Sequence, residues 1–227
     1  MTDNAKIAEF DALVRERRSV RGFLDKRVPE ETIKQIFDTA RWAPSGTNVQ
    51  PWEVYVASGD TLEQIRQGYI QGFDNKVKVV TDHPGDGRTP APWQDRKRNC
   101  ARALYQAMDI EWEDKAGRGY AARRNYEFFD APHAVFLGMH DIFGTQTACD
   151  VGMFAQTLML AMTSHGLGSC AQGTLRNYPD LVREVFGLEP EIKILFGISF
   201  GYEDPDARVN RARTDRAPLE ETVQFLG

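Results

Sequence analysis

The sequence predicts a single domain that mixes α-helices with a few short strands, and three observations carry that prediction. Two amphipathic helical patterns open the chain: Ile7, Phe10, Leu13 and Val14 within 5–17, then Ile33, Ile36, Phe37 and Ala40 behind Pro29. Segment 148–165, "ACDVGMFAQTLMLAMTSH", is apolar on nearly every face, as a helix inside a core must be. Short apolar runs at 52–57 and 133–139, and the alternating "EIKILFGISF" at 191–200, read as strands. With 227 residues, 41% of them apolar, the whole chain 1–227 suffices for one hydrophobic core.

Taken in order, the first helix ends in the polar run "RERRSVRGF". Pro29 followed by Glu30 and Glu31 starts the second, because proline loses nothing at a first helical position and acids suit the amino-terminal dipole. "WAPSGTNVQPW" (42–52) then joins helix to strand 52–57. Pro, Ser, Gly and Asn dominate ordinary turns, but this many short polar residues also suit a loop facing a ligand. Asp60 or Thr61 caps a short helix reaching Tyr69, and the polar stretch to residue 92, broken by "HPGDGRTPAP", reads as a mobile loop. Helices are expected at 94–113 and 116–129, which makes 70–130 an excursion from the core and not a second domain. After strand 133–139 and helix 148–165, Gly166 is a natural stop. "GLGSCAQG" (166–173) reads as a glycine-rich loop, 179–186 as a short helix closed by Gly187, and "ETVQF" near the end as one more strand.

Composition narrows the function classes. The net charge of −5 offers no basic footprint for nucleic acid. No window reaches transmembrane length, and the first 18 residues lack the apolar core of a signal peptide. Cys100, Cys149 and Cys170 are far apart with no CxxC pair, which argues against a disulfide framework or zinc site and for a reducing cytoplasm. The four histidines lack the spacing of a metal cluster, so no metal ligand is assigned.

Two motifs fail on context. "GISFG" (197–201) matches a nucleophile elbow as a string, but Ser199 sits inside an alternating strand and no histidine follows His165. "GLGSCAQG" begins like a dinucleotide fingerprint, yet it follows a helix where that motif must follow a strand. Cys170 lacks an obvious activating partner and reads as a small packed residue.

What remains is a pattern of guanidiniums. "RRSVR" (17–21) and "RARTDR" (211–216) stand out against an acidic background. Either run alone is ordinary solvated surface, but the guanidinium fork matches phosphate oxygens with two parallel N–H bonds. A ligand with a phosphate tail, a polar chain and a flat heterocycle would use both runs and both amide-rich loops, and FMN is such a ligand.

"RRSVRGF", "ETIKQIFDTARWAPSGTNVQPWEVYV" and "DVGMFAQTLMLAMTSHGLGSCAQG", in that order, resemble the nitroreductase family of FMN-dependent oxidoreductases over nearly the whole chain, least over 70–130 and 203–219. The resemblance implies an α+β fold with a mixed, mostly antiparallel sheet flanked by helices. It implies a homodimer with FMN at the subunit interface and ping-pong chemistry fed by NADH or NADPH. By match to the family motifs, Arg17, Arg18 and Ser19 hold the phosphate and ribityl chain, and Arg21 sits near the pyrimidine end of the flavin. Pro44, Ser45, Gly46 and Asn48 come from the partner subunit. Ala171, Gln172 and Gly173 lie beside the flavin N5 edge, with Gln172 standing where some relatives carry glutamate, and Cys170 counts with them among the cofactor-binding residues. Arg211 and Arg213 complete the phosphate site by position and charge only. No side chain is required as a nucleophile, since hydride passes through flavin N5.

The acceptors this reading favours are flat nitroaromatics or quinones, stacked between aromatics of the excursion: Trp93, Tyr120 and Phe128, with Trp112 and Tyr126 as further candidates. The rival readings are an FMN-dependent ene or dehalogenating reductase and a flavin-binding protein without turnover.

Overall fold

A computed structural model describes residues 3–85 and 87–227. Its centre is a four-stranded sheet in the order β1-β2-β4-β3, formed by β1 (Glu53–Ser58), β2 (His133–His140), β3 (Gly168–Gln172) and β4 (Ile192–Gly201). Every neighbouring pair is antiparallel, and the parallel component is one isolated bridge between Ser19 and Ser169.

β2 shows why its sequence is continuously apolar and not alternating. Helices cover both sheet faces, so both sets of side chains are buried. Val135, Leu137 and Met139 meet α2 (Glu30–Ala40) and α6 (Thr145–Ser164) through Ile36, Phe154, Leu158 and Met162. Ala134 and Phe136 meet α3 (Gly59–Asp74) and α7 (Pro179–Phe186) through Ile65, Tyr69 and Val182. The ends of α6 and α7 follow expectation, with Gly187 left-handed at φ 64° as a helix stop. The first helix, α1 (Asp3–Glu16), packs on α6 but leaves Ile7 and Phe10 exposed.

Several expectations are corrected. "GLGSCAQG" is not a loop: residues 168–172 form β3, because β4 offers an antiparallel partner from Gly197 to Gly201. The expected helix 94–113 ends earlier, as α4 (Trp93–Ala107), with Asp109 at φ 54°. The expected helix 116–129 is α5 (Lys115–Tyr126), capped by Asp114 on the Gly117 N–H at 2.9 Å and stopped where Phe128, Phe129 and Asp130 all take positive φ. The stretch before α4 is tied down at Asp82, whose Oδ2 accepts from Arg183 and from the Ile194 N–H, each at 2.7 Å. "ETVQF" does not form a strand; a single turn, α8 (Leu219–Thr222), precedes an unpaired end with Phe225 exposed. There the tail lies against α4 through an Arg96–Glu221 ion pair at 2.7 Å, away from any sheet edge. Among the described residues no helix is long and apolar enough to cross a membrane.

Candidate functional site

The segment after α1 is extended and laced into the sheet. Val20 N–H donates to the Ser169 carbonyl at 3.0 Å and Leu24 N–H to the Tyr202 carbonyl at 2.9 Å, so residues 19–24 run between β3 and the end of β4. Extended backbone sends successive side chains to opposite sides. Val20 is buried, while Arg17, Ser19 and Arg21 line one cleft of about 360 Å³. Gly22 is needed for this passage, because a Cβ there would lie 2.4 Å from that of Ala207.

Arg213, Thr214 and Arg216 close the other side of that cleft, with Cys100 and Leu104 of α4. The two arginine runs, near opposite ends of the sequence, therefore share one cavity. Asn210 makes the junction: it accepts from the Arg21 N–H at 2.7 Å and donates to the carbonyls of Gly22 and Asp204 at 2.8 and 3.1 Å. Sequence reasoning missed Asn210, since an asparagine between arginines carries no motif; its burial at 5% exposure is the signal.

The arginines are not equivalent. Arg18 makes a bidentate ion pair with Glu203, so it is a clamp on the segment as well as a cleft residue. Arg17 Nε and Arg18 Nη1 are buried with no hydrogen-bond partner. Among the described residues Arg17, Arg21, Arg213 and Arg216 have no carboxylate partner. Stranded buried donors of this kind are costly unless an acceptor fills the space, and a phosphate is an acceptor that fits. Arg211 is exposed and is not among the residues lining the cleft.

β3 supplies the neighbouring surface. Ala171 and Gly173 are exposed, and a Cβ on Gly173 would meet nothing within 4 Å, which leaves a small-residue face open to a flat group. Gln172 turns the other way and is 3% exposed. Its Nε2 donates to the Asn125 carbonyl at 3.0 Å and its Oε1 accepts from the Ser199 hydroxyl, so its side chain is fully used inside the protein. Cys170 is also interior: burial pushes its thiol up, against the opposing pull of Arg21, Ser19 and Arg17, so the thiol is no nucleophile.

The turn containing Pro44, Ser45, Gly46 and Asn48 lies elsewhere in the chain. Asp150 on α6 accepts from the Gly46 N–H at 3.1 Å and Ser45 Oγ accepts from the Gln50 N–H at 3.0 Å. These residues are not among those lining the arginine cleft.

The aromatic candidates divide. Tyr120 lines a second cavity of about 260 Å³ with Leu104, Met108, Phe129 and Arg21, and Arg21 thereby borders both spaces. Phe128 is fully buried against Tyr69 and Phe136, which corrects its assignment to the substrate mouth. Tyr126 is likewise core, with its hydroxyl accepting from Asn177 at 2.9 Å. Trp93 is exposed at the start of α4 and lines neither cavity, while Trp112 carries Arg102 and Arg118 over its ring.

Comparison with known proteins identifies the family. Residues 14–202 match the Nitroreductase family. The chain is 39% identical over 226 residues to the nitroreductase NfnB of Mycolicibacterium smegmatis, covering 98% of this chain and 94% of that protein. It is 33% identical to a 4-nitrobenzoate reductase of a Nocardioides species, covering 97% and 91% of the two chains. The crystal structure of the FMN-dependent NfnB from Mycobacterium smegmatis in complex with NADPH superposes with a TM-score of 0.92 at 38% identity, over 99% of this chain and 100% of that one. This chain belongs to the nitroreductase family.

Proposed function

We infer that this protein is an FMN-dependent oxidoreductase that uses NAD(P)H to reduce nitroaromatic or quinone-type acceptors. The observation that carries the reading is the cleft in which Arg17, Ser19, Arg21 and Arg213 converge beside the open Ala171–Gly173 edge. Relatives described as FMN- and NADPH-dependent nitroreductases and as 4-nitrobenzoate reductases support it. Bound FMN supplies hydride acceptance from the nicotinamide and hydride delivery to the acceptor at N5.

The chain's own residues bind and orient. Arg17, Ser19 and Arg213 hold the phosphate, and Arg18 fixes their segment through Glu203. Arg21 stabilises negative charge at the pyrimidine end, a preorganised electrostatic effect. Gln172 keeps β3 in place from the inside, so its amide side chain in place of a carboxylate leaves the outer face unchanged.

We also infer a homodimer. Ile7, Phe10 and Met153 are exposed on α1 and α6, Val49 is exposed on the Pro44–Gln50 turn, and Phe225 and Leu226 are exposed on the tail, an apolar surface that a second copy would cover. The turn then reaches the cleft of the other subunit. Three free cysteines without pairing fit a cytoplasmic protein.

Arg17→Ala with Arg213→Ala should weaken FMN binding by about 100-fold or more, since hydrogen bonds to charged groups contribute about 1.5–3 kcal/mol each. Fluorescence titration of released FMN measures this, and unchanged affinity would remove the phosphate assignment. Steady-state reduction of a nitroarene or quinone should give parallel double-reciprocal plots, and sedimentation should find a dimer. A stable FMN-loaded monomer would overturn the interface reading.

A further inference from the structure

We propose, resting on the FMN reading above, that Asn210 is a positioning residue. It fixes Arg21 and Arg213 relative to one another, and so couples the grip on the phosphate to the charge set at the pyrimidine end. Neither arginine is placed by a regular helix or strand of its own. Arg21 lies in the extended segment 19–24, tied down through its neighbours Val20 and Leu24, and Arg213 follows the short turn Arg208–Arg211 on an irregular tail. Asn210 touches both. Its Oδ1 accepts from the Arg21 N–H at 2.7 Å, and its backbone carbonyl accepts from Arg213 Nη1 at 2.8 Å. One arginine is thus held by its backbone and the other by its guanidinium.

The amide is matched to this place. Asparagine carries an acceptor and two donors on one planar group. While Oδ1 serves Arg21, Nδ2 donates to the carbonyls of Gly22 and Asp204 at 2.8 and 3.1 Å. At 5% exposure, water has little access to replace it. The turn is also seated without slack, since a Cβ on Gly22 would lie 2.4 Å from that of Ala207 and 3.4 Å from Asn210 Nδ2. Yet the surrounding backbone has other ties. Asp204 N–H donates to the Gly22 carbonyl at 3.1 Å, Val20 and Leu24 bond to Ser169 and Tyr202, and Arg18 pairs with Glu203. Loss of the Asn210 side chain therefore lets the turn drift against segment 19–24 while the fold stands. A drift of about 1 Å costs up to about 100-fold where groups must be aligned. The charges lining the cleft, Glu16 among them, are the same when Asn210 becomes alanine, so an altered flavin reports position and not charge.

Double-variant cycles test this, read by FMN titration into the apoprotein and by the two-electron potential of bound FMN. Asn210→Ala should weaken binding of oxidised FMN by about 10-fold, but by no more than about twofold where Arg213 is already alanine. Arg21 meets negative charge only on reduction. Asn210→Ala should therefore weaken reduced FMN about 10-fold more than oxidised FMN, a fall of about 30 mV in potential. That fall should vanish where Arg21 is already alanine. A residue that only stabilised the fold would give equal factors in every background. In the apoprotein, amide exchange should speed up at Arg21 while Val20, bonded to Ser169, stays protected. If Asn210→Ala does not fold, Asn210→Ser goes through the same cycles, and failure of both to fold would make Asn210 structural and overturn the proposal. Equal factors in all backgrounds, an unchanged potential, or equal acceleration at Val20 would overturn it too. An FMN-loaded parent with additive cycles defeats this inference alone. A parent apoprotein that takes up no FMN defeats the functional reading beneath it, while the exchange measurement still scores the hold on Arg21.

Discussion

Two polar, glycine-bearing segments, 44–50 and 168–173, hold their shapes by opposite means. The first is an exposed turn in which Thr47, Asn48 and Gln50 take φ of 49°, 57° and 48°. It is held by local bonds: Asp150 and Ser45 Oγ accept from the Gly46 and Gln50 N–H groups, the Thr47 hydroxyl and Gln50 amide donate to neighbouring carbonyls, and two backbone bonds close the turn. The second is a regular strand whose shape comes from a five-residue ladder with β4 and from buried partners on its inner side. Composition alone does not separate them. A chain pairs wherever an adjacent strand edge offers donors and acceptors, and otherwise short side chains satisfy the backbone locally. The strand should therefore fail globally when damaged, and the turn only locally.

The largest effect is expected at Gln172. Gln172→Ala leaves the Ser199 hydroxyl and the Asn125 carbonyl without partners and opens a void. It should cost about 2–4 kcal/mol of unfolding free energy. Denaturant melts with FMN at a fixed excess would measure it. Gln172→Glu should cost less than the alanine in mild acid, where a protonated carboxyl can accept from Ser199 and donate to the Asn125 carbonyl, and more at neutral pH, where it would bury a charge. A Gln172→Ala protein as stable as the parent would mean the ladder alone holds β3.

Acid offers the second break. His133 stands in β2 opposite Phe200, the same residue that pairs with Ser169 of β3, and it stacks on the Phe200 ring at 5.1 Å. Its Nε2 accepts from the Val28 N–H at 2.9 Å, so the neutral ring is the one the fold uses. Burial, helped by Arg27, lowers its pKa to about 4 from the usual 6.5. Between those values the unfolded chain takes up a proton that the folded chain refuses. Stability is thus complete above pH 6.5 and falls as the pH drops toward 4, by about 2 kcal/mol after allowance for solvent screening. His133→Gln should flatten that slope, and an unchanged slope would assign it to other groups.

These contrasts also explain what the sequence made legible. Periodicity located the helices and strands that pack, because burial writes its period into side chains such as Ile36 or Phe154. The joint use of "RRSVR" and "RARTDR" was legible as chemistry, and the structure brings Arg17, Arg21 and Arg213 into one cleft. Phe128 was not legible: an aromatic in a polar excursion looks like a mouth residue, and only its tertiary neighbours Tyr69 and Phe136 make it core. The strand at 168–172 was hidden for a related reason, since small residues show no alternation until a partner strand is known. Asn210 and Glu203 were hidden because single polar residues act here through contacts almost 200 positions away.

On the turn side the effects shrink. Asp150→Ala removes a charge-assisted bond to Gly46, whose N–H is exposed enough for water to replace it. A cost of about 1 kcal/mol is expected. The diagnostic readout is local: amide exchange should speed up at Gly46 and its neighbours while β3 stays protected. Equal acceleration in β3 would contradict the separation of the two regions.

The smallest effects carry opposite signs. Ser45→Ala removes the acceptor for the Gln50 N–H, an exposed bond, so stability should fall by about 0.5 kcal/mol. Thr47→Gly works the other way. A β-branched residue at φ 49° is strained, by about 1–2 kcal/mol in the left-handed region, and glycine removes that strain. Against this, glycine gives the unfolded chain more freedom, which costs about 0.4–1 kcal/mol. Glycine also loses the exposed Thr47 hydroxyl bond to the Gly46 carbonyl, about 0.5 kcal/mol, so the balance leaves a gain of about 0.3 kcal/mol, opposite in sign to the loss at Ser45. Paired denaturant melts of the two variants resolve the sign. If both destabilise, the positive φ at Thr47 carries too little strain to offset the loss of its hydroxyl bond to Gly46. If the signs differ as expected, the turn is a locally held device whose strain is separable from the sheet.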